Sequence, residues 1–395
     1  MGESGRRHID AAERRARLAL RHRLAGAARA GSPEEVAGSL VALHGTDPAT
    51  VYLAVAARLA EPAKALPETE RALYEDRTLV RMHGMRHTVF VFPTELTAVV
   101  HASTGLTVAA RERAKLVKDM ADAGAPDAAW LTEVEVSTLA ALARRGQATA
   151  SELAVDEPRL REQFAYAAGK SYEGVHTVSS RLLRVLGVEG KVVRGRPLGS
   201  WTSTQFRWAV APPHPELDPA AAQAELLERW LGACGPATEA DLKWWTGWRV
   251  TEVRRALAAI GAREVSLDEG TGYVTAGDTA PVRPPEEPWA ALLPGLDPTA
   301  MGWQQRDWYL APDMRPLLFD RSGNVGPTVW WNGRVVGGWG RRPDGEIVWR
   351  IVERDGAGAE AAAAVAAEAE RLRGWAGTTR ITPRFRTPLE KELSA

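Results

Sequence analysis

Apolar residues recur at helical spacing in two separate stretches of the chain. The first stripe is Val175, Val178, Leu182 and Val185, and the second, at the same offsets, is Val250, Val253, Leu257 and Ile260. Steps of three and four residues place such side chains on one face of an α-helix. Each stripe is followed by a glycine, Gly187 or Gly261, and then by a short segment rich in valine. Both stretches therefore predict a helix, a glycine stop and a β-hairpin.

Helix starts are marked by side chains that can accept the free N–H groups of a first turn. Such residues, each followed by Pro or by a nearby acidic residue, are Ser32, Asp47, Thr149, Asp218 and Thr238. In the first hundred residues, the pattern predicts helices near 8–29, 33–44 and 48–60. A strand pair then follows in 79–92, and Gly84 splits it into a hairpin. This order of helices followed by a hairpin is the plan of a winged helix.

The winged-helix pattern occurs three times at irregular spacing, which favours tandem domains over a solenoid. The predicted segments are 1–100 (winged helix 1), 101–212 (linker helices and winged helix 2), 213–285 (winged helix 3) and 286–395 (a β-rich domain with one helix). In the last segment Asn332-Gly333, flanked by apolar residues, is a hairpin signal. The predicted fold class is α+β, with tandem winged-helix modules before a β-rich C-terminal domain.

Composition narrows the possible partners. Fifty basic and fifty acidic residues give a net charge of +0, so nucleic-acid binding requires local basic patches. The single cysteine, Cys234, excludes an internal disulfide and a thiolate metal cage, and neither a metal nor another cofactor is expected. The sequence has neither a bilayer-spanning apolar stretch nor a signal-peptide pattern. It predicts a cytoplasmic, nucleoid-associated protein without a membrane partner.

Candidate chemistry is concentrated between two predicted helices, in Leu43-His44-Gly45-Thr46-Asp47-Pro48. There an imidazole, a hydroxyl and a carboxylate can project into a groove. Asp47 before Pro48 is also an expected N-cap, and capping is the better account of this carboxylate. His83 and His87 lie on the predicted hairpin, where packing explains them better than metal binding.

Candidate DNA contacts lie on the third helix and the wing of the second module. The third helix of a winged helix can enter the major groove while the wing touches the backbone. The polar residues in these positions are Ser180, Arg181, Arg184, Lys191, Arg194 and Arg196. A solvated surface, or a surface that binds another protein, is the alternative interpretation, and the basic wing favours nucleic acid.

Several phrases resemble those of the AlkZ/YcaQ-like winged-helix DNA glycosylases. They are Val36–Pro48, Tyr52–Ala54, Arg58-Leu59, Val80-Arg81, Met85–Thr88, Leu293–Pro298, Met301-Gly302, Phe319–Asn324 and Arg384–Leu389. The resemblance implies a monofunctional glycosylase, without cofactor and monomeric, that removes alkylated purines, including bulky adducts, from duplex DNA. It links the family to repair and to self-resistance against genotoxic natural products. It also adds Arg81, Arg86 and Thr88 to the candidate DNA contacts.

The sequence departs from the family's pattern at the candidate site. Typical members have Gln-x-Gln or Gln-x-Asp where this chain has His44-Gly45-Thr46, and Arg-Gly-Thr where it has Arg86-His87-Thr88. We hypothesise that His44 is a water-positioning base, Thr46 its helper and Asp47 a structural or electrostatic third member. A DNA-binding relative that has lost glycosylase activity is the alternative, followed by a winged-helix scaffold for other proteins.

Overall fold

Helices and short strands alternate along the chain in the computed structural model, which describes residues 6–167, 169–171, 173–353 and 357–395. The α-helices are α1 (Ala11–Arg21), α2 (Pro33–Ser39), α3 (Pro48–Ala56), α4 (Ala65–Glu70), α5 (Thr97–Val100), α6 (Leu106–Asp122), α7 (Ala128–Arg145), α8 (Ala150–Asp156), α9 (Val178–Val188), α10 (Pro219–Cys234), α11 (Glu239–Thr246), α12 (Val250–Ala259), α13 (Arg315–Leu318), α14 (Ala359–Ala376) and α15 (Pro388–Leu393). The strands are β1 (Leu43–His44), β2 (Leu79–His83), β3 (Val89–Pro93), β4 (Gln147–Ala148), β5 (Gln163–Tyr166), β6 (Gly174–Thr177), β7 (Val192–Pro197), β8 (Phe206–Val210), β9 (Ala237–Thr238), β10 (Arg263–Leu267), β11 (Gly270–Val274), β12 (Ala290–Leu293), β13 (Thr328–Trp331), β14 (Arg334–Arg341) and β15 (Ile347–Ile351).

The first unit consists of α2, β1, α3, α4 and the hairpin β2–β3, with the sheet order β1-β3-β2. Its helices are shorter than predicted. Arg23 (φ 58°) follows the end of α1, and Val41 (φ 66°) follows the end of α2, and these left-handed residues do not continue a right-handed helix. Residues 43–44, predicted to be helical, form β1 instead.

The predicted hairpin at Gly84 is confirmed by antiparallel pairing of β2 with β3 from Leu79↔Pro93 to His83↔Val89. A Cβ atom at Gly84 would lie 2.8 Å from Cζ of Phe92, so the position requires glycine because a ring packs against it. The turn itself is formed by Met85–His87, directly after Gly84.

The second unit consists of α7, β4, α8, α9 and the hairpin β7–β8, with the sheet order β4-β8-β7. A separate hairpin, β5–β6, is inserted between α8 and α9. Because of this insertion, Val175 lies in β6 and is 63% exposed, whereas the sequence placed it on the apolar stripe of the helix. Helix α9 begins at Val178, where the Thr177 hydroxyl accepts the N–H of Ser180 at 3.3 Å.

The third unit consists of α10, β9, α11, α12 and the hairpin β10–β11, with the sheet order β10-β11-β9. Its predicted stripe is confirmed, since Val253 and Leu257 of α12 are buried and Gly261 (φ 60°) follows the helix end. The last segment forms the antiparallel sheet β12-β13-β14-β15, against which α14 packs. Asn332 (φ 45°) and Gly333 (φ 82°) form the predicted turn between β13 and β14.

Hydrophobic cores cross most of the predicted segment boundaries. One core contains Phe92, Trp230, Trp303 and Trp330, which come from the first, third and fourth predicted segments. The second unit has a core of its own around residues such as Leu182. The boundaries near 100, 212 and 285 stay predictions, but the first, third and last segments pack as neighbours in one core. No helix in the described part of the chain is long and apolar enough to cross a membrane.

Candidate active site

The candidate segment, residues 43–47, lies against β3 as an edge strand. His44 pairs with Phe90, and the N–H of Gly45 donates to a carbonyl oxygen of β3 at 2.8 Å. A Cβ atom at Gly45 would lie only 3.2 Å from the carbonyl carbon of Phe90, so glycine permits the close approach. Alternate residues of an extended segment share a face, which places the side chains of His44 and Thr46 together.

Asp47 has a structural role that occupies both of its carboxylate oxygens. Oδ1 accepts the N–H of Ala49 at 3.1 Å and caps α3, which confirms the N-cap interpretation. Oδ2 accepts the N–H of Arg384 at 2.9 Å, which ties the C-terminal segment to the site. The residue is only 7% exposed, so this carboxylate is held away from solvent.

Two arginines hold the backbone of the segment from opposite ends of the sequence. Arg81 of β2 donates to the carbonyl oxygen of Gly45, and Nη1 of Arg384 lies 3.4 Å from the carbonyl oxygen of Thr46. Arg81 is buried, and its Nε has no hydrogen-bond partner among the described residues. The segment is therefore fixed on a positively charged support.

The environment of His44 keeps its imidazole neutral. Burial, then the cations Arg86 and Arg81, lowers the pKa of His44 to about 3. Its Nδ1 lies 3.4 Å from the N–H of Thr46, and its ring meets Phe90 edge-on at 5.4 Å. In a neutral imidazole whose Nδ1 accepts, Nε2 carries the proton. The ring can thus orient a molecule at Nε2, but it is a weak base.

The pocket beside His44 is small. Its cavity volume is about 20 Å³, and His22, Arg86, Phe90 and Trp245 are among its lining residues. About 10–15 Å³ is enough to hold one water molecule, whereas benzene occupies an engineered cavity of about 150 Å³. The space therefore suits a water molecule and is too small for a nucleobase. Thr46 does not line this cavity, and its hydroxyl has no hydrogen-bond partner among the described residues.

Comparison with known proteins decides the family. The family model described as DNA glycosylase AlkZ-like matches residues 37–375. The chain belongs to the AlkZ-like DNA glycosylase family. Its structure is similar to that of Streptomyces sahachiroi DNA glycosylase AlkZ, with a TM-score of 0.69 and 21% sequence identity, over 93% of this chain and 97% of that chain. No curated protein sequence matches the chain.

Besides Arg81, which binds the Gly45 carbonyl oxygen, three of the predicted DNA contacts of this AlkZ-like chain have no acidic partner among the described residues. Arg86 lies over the ring of Trp244 at 4.1 Å, and Arg194 lies over Phe206 at 4.5 Å. Burial, then Arg81 and other arginines, lowers the pKa of Arg194 to about 9. Nε of Arg184 donates to Nε2 of His87 at 3.3 Å. These guanidinium groups remain available for an anion.

The other predicted contacts are engaged within the protein or carry no charge. Lys191 pairs with Glu135 and Glu189, and Arg196 pairs with Glu70 and Glu75. Arg181 is buried, with Glu112 and Asp119 each 3.9 Å away. Ser180 is exposed at the first turn of α9, where its hydroxyl donates to the carbonyl oxygen of Thr177 at 2.8 Å, and Thr88 follows the turn of the first hairpin. Their role in DNA binding stays a prediction.

The turn between β2 and β3 has two left-handed residues, Arg86 (φ 53°) and His87 (φ 59°). His87 occupies the position of the family's glycine, and a side chain there strains the backbone. It is held by Arg184, with Nε–Nε2 and Nη2–Nδ1 distances of 3.3 and 3.2 Å, and by Glu112, whose Oε1 is 3.2 Å from Nδ1. His83 is buried beside it, as packing predicted.

Sequence reasoning missed the part of Arg384 in this site. The residue was noted only within a C-terminal phrase, yet its backbone N–H binds a carboxylate 337 positions earlier. No periodic pattern could reveal such a contact, and the recurrence of the phrase in the family was the only signal. Among the described residues, no group of three or more His, Cys, Asp or Glu side chains could hold a metal ion.

Proposed function

We propose that this protein is a monofunctional DNA glycosylase that hydrolyses the N-glycosidic bond of alkylated purines, including bulky adducts, in duplex DNA. Its biological setting would be base-excision repair or self-resistance to genotoxic natural products. The observation that carries the proposal is the shared face of His44 and Thr46. His44 lines a water-sized cavity, Thr46 follows two positions later, and the two residues occupy the positions where the family has its polar pair.

We also infer that the three repeated units are winged-helix modules that bind lesion-containing duplex DNA as a monomer. In each unit a helix, a short strand, two helices and a hairpin follow one another, and the third strand lies between the other two. The same order and the same sheet topology in all three units support the assignment.

Hydrolysis proceeds through a sugar that resembles an oxocarbenium ion, attacked by a positioned water molecule. Neutral His44 orients that water and the Thr46 hydroxyl accepts one of its hydrogen bonds. No strong base is needed here because a cationic alkylpurine is already a good leaving group, and the attacking water passes its proton to solvent after the bond has broken. Asp47 acts by fixing α3 and the Arg384 backbone. Phosphates bound at the unpaired arginines offset positive charge that would oppose the sugar cation.

The test is single-turnover excision from duplexes that carry N7- or N3-alkylpurines, small and bulky, with abasic sites revealed by heat or alkali. His44→Ala and Thr46→Ala should each slow excision by at least about tenfold, because both remove a group that orients the water. His8→Ala is the matched control, since His8 is exposed and pairs with Asp268 far from the segment. Excision at the parental rate in His44→Ala would overturn the assignment.

A second candidate function follows from the replacement of both family side chains by His44 and Thr46. It is a DNA-binding relative without glycosylase activity. Intact DNA across the whole lesion panel, together with salt-sensitive duplex binding, would support this candidate and exclude the first.

A further inference from the structure

A wide cleft opens on the other side of Arg86 from the His44 pocket. Its cavity volume is about 530 Å³, within the range of ligand-binding sites. The turn of the first hairpin, the first turns of α6 and the junction of α11 with α12 form its walls. Arg86 lines both spaces, so whatever occupies the cleft lies next to the candidate active site.

Three arginines from these three elements line the cleft without an ion pair. Arg86, Arg111 and Arg249 have no carboxylate within salt-bridge distance among the described residues, and all three are exposed. Although part of the Arg86 side chain is exposed, its guanidinium is covered, and burial, then Arg306, lowers the pKa of Arg86 to about 10. Most other exposed basic side chains nearby are paired. For example, Lys118 of α6 binds Asp122 at 2.5 Å and Arg254 of α12 binds Glu239 at 2.6 Å.

The two carboxylates in the cleft wall already have partners. Glu112 lies 3.2 Å from a ring nitrogen of His87. Glu252 accepts the backbone N–H of Arg249 at 2.8 Å and the amide of Gln223 at 3.3 Å. Both carboxylates keep their negative charge, because these partners are neutral. Three guanidinium groups against two carboxylates still leave the cleft lining with an excess of positive charge.

The remaining lining decides which anion fits. The cleft lining is part polar and part apolar. Ser103 and Thr246 donate their hydroxyls to backbone carbonyl oxygens, so the exposed Thr107 offers the hydroxyl that remains for a ligand. The one tryptophan, Trp248, is buried, and its Nε1 is committed to Thr104 at 3.0 Å. Arginines with hydroxyl groups suit phosphate oxygens.

We propose that the wide cleft binds the phosphodiester backbone of duplex DNA next to the nucleotide whose sugar lies over His44, with Arg111 and Arg249 as phosphate contacts. The proposal rests on the proposed function for the position of the sugar. Arg86 separates the two sites, so a backbone held in the cleft sets the distance between the glycosidic bond and His44. Arg111 and Arg249 are positioning residues, not catalytic ones.

The test measures binding of the full chain to an undamaged duplex by fluorescence anisotropy over a range of salt concentrations. Arg111→Ala and Arg249→Ala should each weaken binding and reduce the slope of log K against log[salt] by about 0.9, the value for one phosphate contact. The matched controls are Lys118→Ala on α6 and Arg254→Ala on α12. Their charges are already paired, so the slope should stay the same.

An unchanged slope in both arginine variants, or equal changes in the controls, would overturn the proposal. Thermal unfolding of each variant excludes loss of folding as the cause. Because the duplex carries no lesion, the result does not depend on excision. A reduced slope without any excision activity would support the phosphate site and contradict the proposed glycosylase activity. Excision with unchanged slopes would support the glycosylase activity and contradict the phosphate site.

Discussion

At the scale of single residues, Asp47 and His44 of the candidate site differ in their charge. The carboxylate of Asp47 is negatively charged, and its two oxygens accept the N–H that caps α3 and the backbone N–H of Arg384. His44 is buried and lies near the cations Arg86 and Arg81. Both effects lower the pKa of its imidazole and keep the ring neutral. The two side chains proposed to position the water, His44 and Thr46, are thus neutral. This distribution determines how activity should depend on pH.

We expect excision to show no loss of rate from His44 protonation between about pH 8 and about pH 5. The pKa of His44 is lowered to about 3, so the ring gains its proton only well below the usual range of about 6.5. Single-turnover rates across this interval measure the effect. His44→Ala should have a profile of the same shape at a lower level. An acid limb centred near 6.5 that disappears in His44→Ala would contradict the structure.

His87 gives a second prediction at this scale. A side chain at φ 59° costs about 1–2 kcal/mol relative to glycine. Replacing His87 by Ala or by Gly removes the contacts to Arg184 and Glu112 in both cases, but only Gly removes the strain. His87→Gly should therefore be more stable than His87→Ala by about 1 kcal/mol, after the larger backbone entropy of glycine is subtracted. Denaturant unfolding of the two variants measures the difference, and equal stabilities would show that the turn is not strained.

At the scale of elements, periodicity predicted those helices whose apolar face packs on a local core. Val253 and Leu257 located α12 in this way, and Asn332-Gly333 located the turn between β13 and β14. The sequence failed where an element is too short for any period. The two-residue strand β1 is fixed by its pairing with Phe90, 46 positions later, so it was mistaken for the end of a helix.

The candidate site was predictable to the extent that its chemistry is local in sequence. His44, Thr46 and Asp47 lie within four positions, and the Asp-Pro cap could be read directly. The arginines around them come from distant elements, and residue type alone could not separate free from paired cations. Lys191 and Arg196 illustrate this, because carboxylates of α7, α9 and the first unit occupy them.

At the scale of the whole molecule, a buried ion pair joins the first unit to the last segment. Arg58 and Asp297 are both 0% exposed, and the guanidinium of Arg58 binds the carboxylate through two hydrogen bonds, at 2.9 and 2.7 Å. The carbonyl oxygens of His22 and Ala54 accept from the same guanidinium. The pair therefore lies in the buried contact between the first and last segments.

Asp297→Ala should lower the free energy of unfolding by about 3–5 kcal/mol, because it leaves the Arg58 charge buried without its counter-ion. Glu392→Ala is the control, since its pair with Arg350 is exposed and should contribute about 0–1 kcal/mol. Urea unfolding followed by tryptophan fluorescence measures both. A loss in Asp297→Ala no larger than in the control would show that the two segments are stabilised independently of this pair.

The small volume beside His44 has a consequence for how such an enzyme would choose its substrate. With room for a water molecule and none for a purine ring, the pocket beside His44 cannot enclose a damaged base. Discrimination would have to come from the lesion itself, since alkylation weakens the bond to the sugar and normal purines keep a strong one. Selectivity would then be kinetic: the same site could meet any nucleotide, but only the weakened glycosidic bond of an alkylated purine would be hydrolysed at an appreciable rate.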